Sequence, residues 1–401
     1  MGNKSIEIFL FAHGTGAIDS SGRRNVAGVE SSGHPVVQVA EQSLKRGTLS
    51  MVILLAFLLL LFYGAGNINC STVNHKNMTD MLSLLDFKAA TNDPTGALRS
   101  WDRSVHYYNS TGVRCSQGNP GRVAALQLPG ECLSGEITPS LENLTFLKVL
   151  NLSSNGFSGQ LTPLNQLIEL VLLDLSSNSF QGIIPDPLTN CSNLKILDLS
   201  RNMLEGPVPT KIGSLYNLLA IDLSSNNLTG VVPPTISNAT ELQLLNLQYN
   251  QVVRPHTTVN LQSDIPYEVR RIIISYKETY RFLSGLITIQ MEHNNLTGGI
   301  PTSLGNLLNL NMLNLSTNNL SGTIPVVLGD LQLLSKLDIS YTRLRGAIPR
   351  NGVFENAAAV SLDGNWELCG GATDLHVPSC RHYQKNMVCR RPNLCRRPPS
   401  A

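Results

Sequence analysis

Apolar side chains recur with a fixed period through the middle of this 401-residue chain. From Leu147 to Pro325 each period contains the pattern L-x-x-L-x-L-x-x-N, and its last asparagine marks the register. These marker asparagines are Asn155, Asn178, Asn202, Asn226, Asn250, Asn294 and Asn318, spaced by 23, 24, 24, 24, 44 and 24 residues. Glu131 and Thr342 stand at the same register before and after them, which gives nine units. The period predicts a stack of short units, because one unit alone cannot bury its apolar side.

Each unit predicts one short strand followed by a bend. Leu150 and Leu152 are two residues apart, so both point inward while Asn151 points outward. We expect each strand to pair in parallel with its neighbours. The marker asparagine lies where the chain leaves the strand, and its amide can both donate and accept hydrogen bonds. A stacked row of these amides would therefore satisfy backbone groups at the bend, and a glycine four residues later permits a turn.

Six units continue with Ile-Pro or Val-Pro after the glycine, as at Ile184-Pro185 and Val208-Pro209. The full pattern L-x-x-N-x-L-x-G-x-I-P resembles the plant-specific class of leucine-rich repeat, found in receptor-like kinases, receptor-like proteins and polygalacturonase-inhibiting proteins. The resemblance extends from about Asp80 to Cys380. It implies an α/β fold, a curved solenoid with parallel strands on its concave face, a helical N-terminal cap and a short C-terminal cap.

The chain divides into eight predicted segments. They are a disordered leader (1–48), a hydrophobic signal peptide or signal anchor (49–66), an N-terminal cap (80–120), repeats (121–250), a degenerate or inserted segment (251–283), repeats (284–350), a C-terminal cap (351–380) and a basic disordered tail (381–401). Lys45 and Arg46 precede the apolar run and small residues follow it, which is the layout of a secretory signal. Its length also approaches that of a membrane span, so cleavage remains open.

The interval between Asn250 and Asn294 is 44 residues long, against 24 elsewhere. Three interpretations are open. The interval is a decayed repeat with Ile272–Ile274 as its strand, an inserted island, or an error in the gene model such as a translated intron. We favour the decayed repeat or the error over the island, because the interval contains no recognisable motif.

Several features predict the secretory pathway, with the repeats extracellular, in the apoplast or at the plasma membrane. Eight cysteines would be unusual in a reducing compartment. The sequence contains no C-x-x-C pair, so we do not expect a zinc site. N-x-S/T acceptor sites follow the apolar run, and we predict glycans at Asn77, Asn109, Asn143, Asn190 and Asn238.

The resemblance also implies disulfides in the two caps. Cys369 and Cys380 match the pair of the C-terminal cap. The family's N-terminal cap usually carries C-x-W-x-G-V-x-C, but Tyr108 stands here in place of the first cysteine. Cys115 thereby loses its usual partner, and we hypothesise Cys132 as a substitute. The pairing of Cys70, Cys389 and Cys395 stays open.

Charge and motifs exclude several activities. A formal net charge of +2, without clustered lysine or arginine on the repeats, gives no nucleic-acid footprint. The sequence contains no H-R-D or D-F-G kinase signature, and no cofactor motif. We therefore predict a protein that is not an enzyme and needs no cofactor or metal.

Two outward rows of the strands are candidates for contact with a partner. The acidic-amide row, which we interpret as structural, is Gln127, Asn151, Asp174, Asp198, Asp222, Asn246, Gln290, Asn314 and Asp338. The pre-marker row, which directly precedes the markers, is Ser154, Ser177, Arg201, Ser225, Tyr249, His293, Thr317 and Tyr341. Tyrosine and arginine are favoured at binding hot spots, so Arg201, Tyr249, His293 and Tyr341 are the predicted ligand-binding residues.

The resemblance implies an extracellular binding module of receptor-like type, without a signalling domain of its own. Its expected partner is an extracellular peptide or protein, a microbial molecule or a receptor kinase co-receptor, and membrane contact would occur only through residues 49–66 if they are uncleaved. The alternatives are a secreted inhibitor of cell-wall polygalacturonase and a truncated, non-functional receptor kinase fragment. A binding assay against fungal polygalacturonase distinguishes the inhibitor from the receptor-like module.

Overall fold

The computed structural model describes residues 78–102, 110–116, 118–119, 121–253, 285–380, 388–389 and 395–396. The predicted leader 1–48, the apolar segment 49–66, most of segment 251–283 and most of the tail 381–401 lie outside these residues. Asn77, Asn109 and Cys70 also lie outside them. Within the tail, strands Val388–Cys389 and Cys395–Arg396 pair antiparallel.

One long sheet runs through the described repeats. In spatial order its eleven described strands are Val113–Cys115, Val123–Gln127, Val149–Asn151, Leu172–Asp174, Ile196–Asp198, Ala220–Asp222, Leu244–Asn246, Thr288–Gln290, Met312–Asn314, Lys336–Asp338 and Val360–Ser361. Only the first pair among these is antiparallel. Leu150 and Leu152 are fully buried on its inner side, as the alternation predicts. The stack of parallel strands expected from the period is confirmed.

A second set of strands follows the markers, where the sequence predicted only a turn. Six of these described strands form one sheet: Thr91–Asn92, Ser134–Glu136, Gly156–Gln160, Ser179–Ile183, Met203–Pro207 and Asn227–Thr229. Four more form a separate sheet in later coils: Thr297–Gly298, Asn319–Gly322, Arg343–Ile348 and Glu367–Gly370. The coils close through 3-10 helices at Pro139–Asn143, Asp186–Asn190, Ile212–Ser214, Pro234–Asn238, Thr302–Asn306, Val326–Asp330, Gly352–Glu355 and Thr373–Leu375. Each coil is therefore fixed to its neighbours on two sides.

The marker asparagines connect consecutive coils through their side-chain amides. The Asn202 Nδ2 donates to Leu175 O of the preceding coil at 3.0 Å and to Leu199 O of its own coil at 3.1 Å. Its Oδ1 accepts from the Phe180 backbone N–H at 3.0 Å. Asn155, Asn178, Asn226, Asn250, Asn294 and Asn318 repeat these contacts. The predicted row of amides satisfies buried backbone groups that no water could reach.

This asparagine ladder runs unbroken across the long interval. The Asn294 Nδ2 donates to Leu247 O at 2.9 Å, and its Oδ1 accepts from the Val252 N–H at 2.9 Å. Strand Leu244–Asn246 pairs directly with strand Thr288–Gln290. No described strand therefore lies between them in this sheet. Ile272–Ile274, which the decayed-repeat interpretation assigned as its strand, lies outside the described residues, so the nature of the interval stays a prediction.

The ladder ends one step later than the markers predicted. Thr342 replaces an asparagine and donates to Ile339 O at 3.0 Å. Asn365, in the C-terminal cap, then accepts from the Leu344 N–H at 3.0 Å and donates to Ile339 O at 2.9 Å. The cap therefore continues the same hydrogen bonds past the last repeat.

The N-terminal cap is a helix from Met78 to Ala90 that covers the first coil. Phe87 is fully buried, and its ring centroid lies 5.8 Å from that of Phe157 in the repeats. The fully buried Asp80 carboxylate accepts from the Val123 N–H at 2.8 Å and forms an ion pair with Arg122 at 3.0 Å. A buried carboxylate requires such partners. The expected helical cap is thus joined to the repeats by apolar packing and by one satisfied charge.

The cysteines agree with the sequence prediction in only one cap. Cys369 and Cys380 form a disulfide, as expected. Cys132 instead carries a free, exposed thiol, so the hypothesised bond to Cys115 is wrong. Cys115 pairs with Val123 at one end of strand Val123–Gln127, whereas Cys132 follows the other end. Four residue steps of strand separate those ends by roughly 13 Å, which exceeds the Cα separation that a disulfide spans.

Replacing Asn202 with alanine should destabilise the protein by about 2–4 kcal/mol, since each buried backbone group left unpaired costs about 1–3 kcal/mol. Chemical denaturation followed by circular dichroism measures the change. The matched control is Asn193→Ala, because the exposed Asn193 makes one described hydrogen bond, to Ile168 O at 3.0 Å. Equal losses from both substitutions would contradict the role assigned to the ladder.

Two adjacent glycines should respond to alanine with opposite signs. Gly298 has a φ of +75°, which strains any L side chain, whereas a Cβ on Gly299 would meet only Ser321 O at 3.6 Å. Gly298→Ala should cost about 1 kcal/mol or more, and Gly299→Ala should stabilise by about 0.4–1 kcal/mol through the unfolded state. Thermal unfolding of both variants tests the pair. Stabilisation by Gly298→Ala would contradict the left-handed backbone at Gly298, and destabilisation by Gly299→Ala would contradict the open space around Gly299.

Candidate functional site

The pre-marker row is held in an unusual backbone conformation. Arg201, Tyr249, His293 and Tyr341 have φ values of +55°, +54°, +53° and +50°. Residues other than glycine adopt this left-handed backbone conformation at a cost in free energy, and such residues cluster at functional sites. Each N–H donates to the next coil, as from Tyr249 to Glu292 O at 3.0 Å and from His293 to Ser316 O at 3.1 Å. The bend is therefore fixed between coils, and these four side chains project from it into solvent.

Two of the four predicted binding residues are in contact. The Tyr249 and His293 rings are stacked, with centroids 4.3 Å apart and planes 11° from parallel. They belong to sequence positions 44 residues apart, which the pairing of their strands places on adjacent coils. Arg201 and Tyr341 lie two coils away on either side. Tyr249 and Tyr341 are 51% and 63% exposed, so both can contact a partner.

The acidic-amide row is structural, as the sequence predicted, although it is much less exposed than outward positions suggest. Asn151, Asp174 and Asp198 are only 8%, 6% and 8% exposed. The Asp174 Oδ1 accepts from the Ser176 N–H at 3.1 Å and from the Ser176 hydroxyl at 2.6 Å. These side chains thus close a turn two residues ahead.

Three neighbouring carboxylates of this row have pKa values that are raised by burial. Asp174, Asp198 and Asp222 follow one another on adjacent strands. Burial, together with the charges of Asp222 and Asp174, raises the pKa of Asp198 well above its usual value. Burial likewise raises the pKa of Asp174 and Asp222. A further negative charge on the sheet surface at these strands would therefore be unfavourable.

Apolar side chains also line this outward face, which the sequence analysis did not single out. Ala125, Val149, Leu172, Ile196, Ala220 and Leu244 form a buried cluster of their own, separate from the main core. On these strands, the side chains that a ligand can reach are therefore those at the strand ends, including the pre-marker row.

Glu292 is the residue that sequence reasoning missed. It directly precedes His293, at a position that is serine in the nine units except for Pro129, Gln248 and Glu292. Its side chain is only 8% exposed, and Oε2 is buried without a hydrogen-bond partner. Burial raises its pKa to about 7, and the charges of Asp338 and Asp222 add to the increase. The departure from serine was the available signal, because glutamate puts a carboxylate where the other units place a hydroxyl donor.

The described glycosylation candidates are accessible. Asn143, Asn190 and Asn238 are exposed and each is the last residue of a 3-10 helix. They lie at one register, two coils apart, and outside the long sheet. Glycosylation at these positions stays a prediction.

Other chemistry is sparse in the part of the chain that the structure describes. No group of three histidine, cysteine or acidic side chains within it is placed to hold a metal ion. No described helix has the length and apolarity needed to cross a bilayer. Cys191 is buried, its thiol donates to Leu164 O at 3.3 Å, and burial raises its pKa to about 11, so it packs as an inert apolar residue.

Comparison with family models identifies the repeats and their cap. The model of the leucine-rich repeat N-terminal domain matches residues 77–116. The leucine-rich repeat model matches residues 169–191, 193–215, 217–239, 285–307 and 309–331. These matches agree with the described coils on both sides of the long interval.

Relatives of this chain are plant receptor proteins. This chain is 43% identical over 83 residues to the LRR receptor-like serine/threonine-protein kinase EFR of Arabidopsis thaliana. The aligned region covers 20% of this chain and 8% of that protein. A similar solved structure is the LRR ectodomain of the Arabidopsis thaliana receptor kinase GASSHO1/SCHENGEN3 in complex with CASPARIAN STRIP INTEGRITY FACTOR 2. It is 33% identical in sequence, with a TM-score of 0.60. The similarity covers 67% of this chain and 30% of that chain.

The ectodomain of the Arabidopsis receptor kinase HAESA, in complex with an IDA peptide hormone ligand, is 29% identical with a TM-score of 0.56. The similarity covers 69% of this chain and 48% of that chain. This chain therefore spans less than half the length of each of these relatives.

Glu292 predicts a defined pH dependence of stability. Its pKa in the folded state, about 7, exceeds the ordinary value of 4.5, so ionisation opposes folding. This destabilisation of the folded state is absent below about pH 4.5 and reaches its full size above about pH 7. Glu292→Gln should therefore raise the free energy of unfolding at pH 8 by about 1–3 kcal/mol, and leave it unchanged near pH 4.5.

Denaturant unfolding at several pH values measures this difference. Glu205→Gln is the matched control, because it makes the same chemical change on an exposed side chain of strand Met203–Pro207. A Glu292→Gln variant that is less stable than the parent at pH 8 would contradict the unpaired burial of this carboxylate.

Proposed function

We propose that this chain, which is a leucine-rich repeat protein similar to plant receptor ectodomains, is an extracellular binding module that captures a peptide along its pre-marker row. Arg201, Tyr249, His293 and Tyr341 would provide the main contacts. We propose a binding role and no catalytic one. The proposed place of action is the apoplast or the outer face of the plasma membrane, and a receptor kinase co-receptor is a further proposed partner.

The observation that carries this proposal is the alignment of the four side chains. They share one register, one backbone conformation and one exposed line. Five coil-to-coil steps separate Arg201 from Tyr341, which at ~4.8 Å a step gives roughly 24 Å. About seven residues of extended peptide span that distance. A rigid row of this kind lets several modest contacts add without an ordering cost on the protein side.

The similar proteins support the peptide as the partner class. The HAESA ectodomain binds a peptide hormone ligand, and the GASSHO1/SCHENGEN3 ectodomain is in complex with CASPARIAN STRIP INTEGRITY FACTOR 2. The composition of the row supports it as well, because tyrosine and arginine are enriched at hot spots and bury large areas at low entropic cost.

Selection of displayed random seven-residue peptides on the immobilised full chain tests this function. Peptides that are enriched on the parent should bind Tyr249→Ala at least about tenfold more weakly, because a central aromatic hot spot contributes about 2 kcal/mol or more. Tyr341→Ala should have a smaller effect, since Tyr341 lies at the end of the row.

Tyr216→Ala is the matched control, because Tyr216 is 62% exposed and lies outside the row, after the 3-10 helix Ile212–Ser214. Its binding should equal that of the parent. Peptides that lose affinity for Tyr216→Ala and not for Tyr249→Ala, or a failure to enrich any peptide, would refute the proposed function.

A further inference from the structure

The position of Glu292 normally holds a hydrogen-bond donor. Five described serines at this register donate their hydroxyl to an oxygen of the acidic-amide row: Ser153, Ser176, Ser224, Ser316 and Ser340. An ionised glutamate only accepts hydrogen bonds. Glu292 therefore puts two acceptor oxygens where the neighbouring coils put a donor.

One oxygen of the Glu292 carboxylate lacks the donor that its burial requires. The side chain is 92% buried, and Oε2 has no hydrogen-bond partner. A hydrogen bond from its own backbone N–H and the charge of Lys336 lower the pKa of Glu292, whereas burial and the charges of Asp338 and Asp222 raise it. A buried acceptor in a negative field attracts an external cationic donor.

An aromatic surface lies beside the backbone of Glu292. Glu292 directly precedes His293, and its backbone oxygen accepts from the Tyr249 N–H at 3.0 Å. Tyr249 and His293 stack across the two coils at 4.3 Å, and both are exposed. The outer ring face is therefore open to solvent. Ring faces of this kind attract planar cations.

From this arrangement, and resting on the proposed function, we propose that Glu292 and the Tyr249–His293 stack form a subsite for an arginine side chain of the bound peptide. The guanidinium group donates two parallel N–H bonds to a carboxylate and also stacks on an aromatic face. An ammonium group forms no comparable planar contact. Because Oε2 is buried, the Glu292 side chain would turn toward the exposed rings to meet the guanidinium group.

The test uses the full chain and a small probe, N-acetyl-L-arginine amide. N-acetyl-L-citrulline amide is the control ligand, because it has nearly the same shape without the charge. Histidine ring signals in the NMR spectrum report binding, and His293→Gln identifies the signals of His293. The arginine probe should shift these signals with a dissociation constant in the millimolar range, about 1–50 mM, and the citrulline probe should not.

Two substitutions distinguish a specific role of the Glu292 carboxylate from a general effect of negative charge. Glu292→Gln should weaken arginine binding at least about fivefold, since it removes the charge-assisted bonds, while Glu205→Gln should leave it unchanged. Glu292→Gln is expected to fold, because it removes an unfavourable buried charge. Equal arginine binding by Glu292→Gln, equal shifts with citrulline, or no His293 shift up to about 100 mM arginine probe would overturn the subsite.

The outcomes also separate this proposal from the function on which it rests. Selected peptides that depend on Tyr249 but not on Glu292, and that carry no arginine, would overturn the subsite and leave peptide binding intact. An arginine response that requires Glu292, without any selected peptide, would support the subsite and overturn the seven-residue peptide as the ligand.

Discussion

The hydrogen bonds of the marker asparagines hold consecutive coils in register. A single amide, such as that of Asn202, pairs with Leu175 O of the coil before it, with Leu199 O of its own coil and with the Phe180 N–H. All of these backbone groups are buried or nearly so, and leaving them unpaired would oppose folding. Because each amide spans two coils, the strands on one side and the bends on the other repeat with the same geometry along the stack.

This register determines where a partner can bind. The residue before each marker has a left-handed backbone whose N–H is bonded to the next coil, so its side chain projects at a fixed place. Tyr249 and His293 are 44 residues apart in the sequence, yet the ladder between Asn250 and Asn294 places them on adjacent coils and allows the rings to stack. The proposed peptide row and the proposed arginine subsite both depend on that adjacency.

Much of this arrangement could be predicted from the sequence, because periodic leucines and asparagines report burial and backbone satisfaction directly. The parallel strands and the asparagine row belong to this class, whereas the helical cap and the Cys369–Cys380 disulfide were implied by the resemblance to the plant repeat family. Features that depend on contacts between coils could not be read so easily. The coils on either side of the long interval pair directly, the strand between Cys115 and Cys132 separates the two thiols, and Asn365 continues the ladder from a non-repetitive cap. Glu292 was visible as an exception to serine, but only its burial showed that its oxygen lacks a donor.

The continuity of the ladder across the long interval is tested most directly by deletion. Removing 20 residues from within positions 254–284 reduces the spacing between Asn250 and Asn294 from 44 to the common 24. The account predicts one cooperative unfolding transition, with a midpoint within about 5 °C of the full chain, since the two flanking coils already pair directly. Loss of the cooperative transition, or of the strand signal in circular dichroism, would show that the interval holds the coils together, and it would contradict the central claim.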